Sequence, residues 1–226
     1  MGGLTSLLLL LCVGVTLSAV LDLQKRILGG GNCPNTERGY HVRIHDLNGI
    51  FICGGSLLKN NWILTAAHCW MWGMKAVVGV HPRTQPGTQP VTMLITAPPV
   101  MYGDDEKRIH DIMLLKLPTP TEIKPVDLPD CNKKPMLGDE VQIAGFAATT
   151  IGPNNERAVL TGDSGGGVVV GNKIYGVISF TGDGTHAHAA DAGFMDVCEY
   201  EEWIKKTIKS ETHWIQGLFG ACCPIG

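Results

Sequence analysis

Charge is scarce in this chain. Only 17% of the residues are Asp, Glu, Lys or Arg, and the formal net charge is −3. Nucleic-acid and heparin binders show a broad basic excess; its absence removes any electrostatic reason to expect such a partner. The sequence also has no Asn-x-Ser/Thr acceptor for an N-linked glycan. Long apolar runs are confined to one place, Leu4 to Leu21, which is uncharged and opens with the unbroken run Leu7 to Leu11. A membrane anchor needs about 20 apolar residues, and here Asp22, Lys25 and Arg26 interrupt almost at once. Small residues at Ser18-Ala19 suit signal-peptidase cleavage, so residues 1–19 are expected to be a secretory signal and not an anchor. Secretion would place the remaining cysteines where disulfides persist.

What the chain does have is apolar content, 44% over 226 residues, enough for one large β domain or two small ones. From Tyr40 onward, short apolar runs alternate with turn residues. His41 to His45 and Ile50 to Cys53 flank Asp46-Leu47-Asn48-Gly49 and predict a hairpin with Asn48-Gly49 at its turn. Trp62 to Thr65 predicts the next strand, followed by Lys75 to Val80, Val91 to Ala97 and Ile112 to Leu117, with no helix-period segment between them. Pro118 to Pro135 is a polar, proline-rich connector. A second β unit opens at Val141 to Phe146 and continues through Gly167 to Val170 and Lys173 to Phe180. After Cys198, the positions Tyr200, Trp203, Ile204 and Ile208 turn to helical period.

Three short words carry chemistry. Thr161-Gly162-Asp163-Ser164-Gly165-Gly166-Gly167 puts a serine among glycines, on a turn that leaves its hydroxyl unhindered; the NH groups of Gly162 and Ser164 can converge where an oxyanion forms. Leu64-Thr65-Ala66-Ala67-His68-Cys69 supplies a base. His110-Asp111-Ile112-Met113-Leu114-Leu115 supplies a carboxylate ahead of an apolar strand, able to accept from one imidazole nitrogen and fix the tautomer that takes a proton from serine. Gly162, Ser164 and Gly166 also fit the G-x-S-x-G elbow of α/β-hydrolases. There the histidine follows the serine, whereas His68 precedes Ser164.

In these words and their order, His68, Asp111, Ser164, the chain resembles the chymotrypsin-like or trypsin-like serine proteases from Ile27 to about Lys209. The resemblance implies an all-β fold of two packed six-stranded antiparallel barrels with a C-terminal α-helix. It implies a secreted serine endopeptidase without cofactor or metal, whose partners are a polypeptide substrate, an activating protease and a protein inhibitor. Residues 20–26 become an activation propeptide ending at Lys25-Arg26. Cleavage after Arg26 would free the ammonium of Ile27, which would settle beside Asp163 and order the oxyanion hole. Ser179 falls where the family hydrogen-bonds the triad aspartate. Cys53 with Cys69, and Cys131 with Cys198, match family disulfides, while Cys33 is left without its usual partner.

The chain also departs from that pattern. Asp111 and Ser164 lie 53 positions apart, against about ninety in the triad template. The shortfall is assigned to residues 147 to 161, so the second barrel is expected to be incomplete and the floor of the substrate pocket missing. Ala158 stands where trypsin-like members carry the aspartate that reads lysine or arginine, so tryptic specificity is not expected. The competing reading is a protease-fold binding or decoy protein, or a truncated isoform, that keeps the triad letters. Asp104, Asp105 and Glu106 are read as a solvated loop rather than a calcium site; His186 and His188, near Asp183 and Asp191, are read as a surface loop rather than metal ligands. The tail 210–226, with Cys222 and Cys223, is open between capping the core, bonding Cys33 and linking to a partner chain.

Overall fold

The computed structural model describes residues 33–34, 37–81, 89–145, 163–181 and 192–218. Seven strands form the first sheet: β1 (His41–His45), β2 (Phe51–Leu58), β3 (Trp62–Thr65), β4 (Lys75–Val78), β5 (Val91–Leu94), β6 (Val100–Gly103) and β7 (Ile109–Lys116). Their spatial order is β5-β4-β1-β2-β3-β7-β6, and every pairing is antiparallel. The second sheet contains β8 (Gln142–Ile143), β9 (Gly167–Val170), β10 (Lys173–Thr181) and β11 (Ala192–Asp196), in the order β11-β10-β9-β8. Helix α1 (Glu201–Leu218) closes the described chain. The expected all-β fold with a C-terminal helix is therefore present. Its two antiparallel units stand as open sheets of seven and four strands among the described residues.

The first hairpin forms as its turn chemistry predicts. Gly49 has φ +85°, a conformation that needs no Cβ, and the Asp46 carboxylate accepts from the Ile50 amide at 2.7 Å. Nine of the eleven described strands fall within about five residues of the expected runs, whereas β6 and β11 carry no strong alternation and are not foreseen by the sequence. Strand β3 is buried at all four positions, and Ile44, Leu57, Ile63, Leu64, Ile112, Leu114 and Leu115 fill the core around it. Each such side chain contributes about 1.5–3 kcal/mol of burial, which anchors β3 and β7 in the core.

The proline-rich connector is more than a tether. Val126 is buried and its amide donates to the Leu57 carbonyl on β2, while Asp127 bridges to Lys173 at the start of β10. One dipeptide thus touches both sheets. The disulfide Cys131–Cys198 then fastens the connector to the turn preceding α1, and Cys53–Cys69 links β2 to the turn after β3. Helix α1 buries Ile204 and packs Trp203 and Ile208 on the core; it runs past residue 209 into the segment read as a separate tail. Among the described residues no helix is long and apolar enough to cross a membrane.

The loop 104–106 is not simply solvated. Asp104 accepts from the Glu106 and Arg108 amides and from the Arg108 guanidinium, and its carboxylate reaches His110 Nε2 at 3.2 Å. These bonds hold the Asp104 carboxyl far below the ordinary carboxylate range, the Arg108 side chain foremost.

Candidate active site

Antiparallel register brings His68 to Asp111. Strand β3 pairs with β7 through Thr65 opposite Met113. Two more steps along each strand would place Ala67 opposite Asp111, and the short 3-10 turn Ala67–Cys69 folds His68 over that carboxylate. The His68 amide donates to Asp111 Oδ1 at 2.9 Å, and His68 Nδ1 lies 3.1 Å from Oδ1 and 2.9 Å from Oδ2. With its proton on Nδ1, the ring keeps Nε2 as an acceptor. His68 is 47% exposed and Asp111 25%, so the base is open to a substrate while its anchor is half shielded. Asp111 is the third residue of β7, and not at its head.

The second sheet supplies Ser179. Ladder register between β10 and β11 shifts between Ile178 and Phe180, leaving Ser179 as the bulged residue. A bulge re-aims a side chain, and here the Ser179 hydroxyl donates to Asp111 Oδ2. Burial pushes the Asp111 carboxyl up, but the Ser179 hydroxyl, the His68 amide and the His68 ring outweigh it and leave Asp111 below its ordinary range. A carboxylate held from both sheets stays ionised where an imidazole needs it.

Ser164 sits on a tight turn closed by the Gly166 amide on the Asp163 carbonyl at 3.0 Å. Gly165 has φ +79°, which the turn demands and which glycine adopts without strain. The turn is tied to the strand that carries Ser179: the Gly165 amide donates to Ile178, and Ile178 donates back to Gly166. It is tied to the first sheet as well, where the Gly54 amide donates to the Ser164 carbonyl at 2.8 Å. The His68–Asp111 pair and the serine turn therefore both lie at the seam between the sheets. Among the described residues no hydrogen bond joins the Ser164 hydroxyl to His68, and His68 Nε2 lies 3.7 Å from Cys69 Sγ. Catalytic hydrogen bonds are often long without substrate.

Asp163 is half buried, its carboxylate packed on Gly145 so closely that a Cβ there would overlap it. Gly162, Arg26 and Ile27 lie outside the described residues, as do residues 147–161, Cys222, Cys223 and the His186–His188 segment. Cys33 forms no disulfide with a described cysteine. Cys53, His68 and Cys69 come together with metal-like spacing, but both sulfurs are joined in the disulfide and offer no thiolate. Sequence reasoning missed Thr65 and Gly54, which brace the serine turn. The doubled glycine after Cys53 was their one local signal.

Two antiparallel sheets with this constellation at their seam define a protein of trypsin-like fold. The family model described as Trypsin matches residues 27–157, and the chain belongs to that family. It is 27% identical to granzyme F of Mus musculus over 244 residues, covering 86% of this chain and 97% of that protein. It is 26% identical to a snake venom serine protease of Crotalus durissus durissus over 247 residues, covering 87% and 92%. Among solved structures it is similar to one described as GrC, with TM-score 0.65 and 26% identity over 81% of this chain and all of that one. Such kinship is that of serine endopeptidases in general, hydrolases acting on polypeptides.

Proposed function

We propose that this chain is a secreted serine endopeptidase made as a zymogen and activated by cleavage after Arg26. Ser164 Oγ attacks the substrate carbonyl while His68 Nε2 takes its proton; Asp111 holds the tautomer and stabilises the imidazolium. The oxyanion is received by the amides of Gly162 and Ser164, each worth about 2.7–4 kcal/mol of barrier. Collapse transfers the His68 proton to the leaving amine and leaves an acyl ester on Ser164, which water hydrolyses with His68 again as base. Ser179 supports the aspartate, and the Ile27 ammonium pairs with Asp163 to order the hole. No step calls for a cofactor. The partners are a polypeptide substrate, an activating protease and a protein inhibitor.

The observation that carries this reading is the Asp111 carboxylate, gripped by His68 from the first sheet and by Ser179 from the second, beside a serine turn bonded to both. The family match beginning at residue 27 supports the activation boundary. That match ends at residue 157, short of Ser164, and alignments of 244 and 247 positions exceed the 226 residues of this chain, so its relatives carry residues that it lacks. The excess of alignment positions supports a shortened chain, and we place the shortening within 147–161.

The test is a fluorophosphonate probe applied to the secreted protein before and after cleavage at Arg26, with the labelled peptide found by mass spectrometry. Label on Ser164 that requires cleavage is the expected result. A soluble, protease-resistant product without label overturns the enzyme in favour of a binding module.

A further inference from the structure

We propose that Thr65 is a positioning residue for this reaction, its hydroxyl setting where the Ser164 turn rests relative to His68. The inference builds on the triad reading above. Thr65 ends β3, is fully buried, and donates its hydroxyl to the Gly54 carbonyl at 2.8 Å. Gly54 gives its amide to the Ser164 carbonyl. In an extended strand the NH and C=O of one residue point the same way, so both polar groups of Gly54 face the serine turn. The β2–β3 ladder begins only at Ser56 opposite Leu64. Without Thr65 the Gly54 carbonyl would have no donor from that ladder.

The turn then docks on what these two residues make together. A Cβ placed on Gly165 would overlap Thr65 Oγ1, lie 2.5 Å from the Gly54 oxygen and 3.2 Å from the Ala66 nitrogen. A Cβ on Gly54 would in turn lie 3.2 Å from Gly166. Backbone therefore meets backbone at distances only glycine permits; the Thr65 oxygen is the side-chain atom set against Gly165, and His41 Cε1 lies 3.3 Å from the Gly54 position. Three residues later the same segment delivers His68. A single short stretch thus presents the base and props the nucleophile, and a shift in Thr65 changes the spacing between them. Thr65 touches neither substrate nor reacting atoms; it acts through Gly54 and Gly165.

The experiment compares Thr65→Val, which keeps shape and removes the hydroxyl, with Thr65→Ser, which keeps the hydroxyl. Thr65→Ala replaces the valine variant if that protein is insoluble. A misplacement of the nucleophile of about 1 Å costs about 10²-fold in rate. Thr65→Val is expected to lower kcat on a peptide ester, and the rate of fluorophosphonate labelling, by that factor with KM within about twofold. Thr65→Ser should restore most of both. Equal kcat in Thr65→Val and the unaltered protein, or equal losses in Val and Ser, overturns the proposal. If the unaltered protein takes no label, the triad reading fails by itself, and exchange of the Gly165 amide, bonded to Ile178 at 2.6 Å, still tests the prop. Faster exchange in Val but not in Ser supports it, and identical exchange in all three proteins overturns it.

Discussion

Histidine 41 should make this protein acid-labile in a way that one substitution removes. The side chain opens β1, is 4% exposed, and packs its Cε1 within 3.3 Å of where a Gly54 Cβ would stand. Burial, with the nearby charges of Arg43, His81 and Arg38, pushes its pKa down to about 4. In the unfolded chain the value returns to about 6.5. The unfolded state therefore binds the extra proton between these limits, and stability is full above pH 6.5 and falls as pH drops toward 4. The loss is about 1 kcal/mol by pH 5.5 and about 2–3 kcal/mol by pH 4.5, approaching a limit of about 3 kcal/mol. Urea unfolding at pH 7.5, 5.5 and 4.5, run on the native chain and on His41→Gln, measures it. Carboxylates such as Asp104 and Asp111 titrate in both proteins and cancel in the difference. The variant should gain on the native chain by those amounts as pH falls; curves that stay parallel within about 0.5 kcal/mol would refute the reasoning.

Asp111→Asn, nearly isosteric, should leave the sheets folded yet reduce kcat/KM about 10⁴-fold, because the amide favours the wrong imidazole tautomer; steady-state kinetics on the activated protein checks it, and a loss under about tenfold contradicts the role. Of the two disulfides among the described residues, Cys131–Cys198 spans 67 positions and Cys53–Cys69 spans 16. Chain entropy assigns about 4 and about 3 kcal/mol to them, so paired Cys→Ser variants should rank in that order by urea midpoint at constant slope.

How much of this was legible in the sequence follows from which contacts are local. The hairpin at Asn48-Gly49, strand β3 and the helical period after Cys198 need only neighbours in sequence, and all three formed. The words around His68, Asp111 and Ser164 were readable because each is a short segment with a fixed local geometry. The bulge at Ser179 depends on how β10 meets β11, and the Thr65–Gly54–Gly165 contact on how two sheets meet. No local pattern encodes the first, and only the doubled glycine after Cys53 hints at the second. Asp104 misled for the same reason: three acidic residues in a row look solvated until Arg108 and His110 fold back on the first.

On the proposed reading, chemistry and substrate grip are carried by different parts of this chain. Among the described residues the bonds on the Asp111 carboxylate come from His68 and Ser179, and the serine turn is braced by Gly54 and Ile178. None of these supports lies within residues 147–161. The base and its carboxylate rest on β3 and β7, whose buried side chains make that half of the site stiff. A shortening of 147–161 would therefore strip binding energy spent on the substrate side chain while leaving the proton path supported. Loss of that kind raises KM for long peptides more than it slows a small ester, since a small ester asks little of the pocket. On that reading a reactive Ser164 and a poorly gripped peptide are compatible in one molecule, because the Asp111 carboxylate and the serine turn are both held at the seam between the sheets.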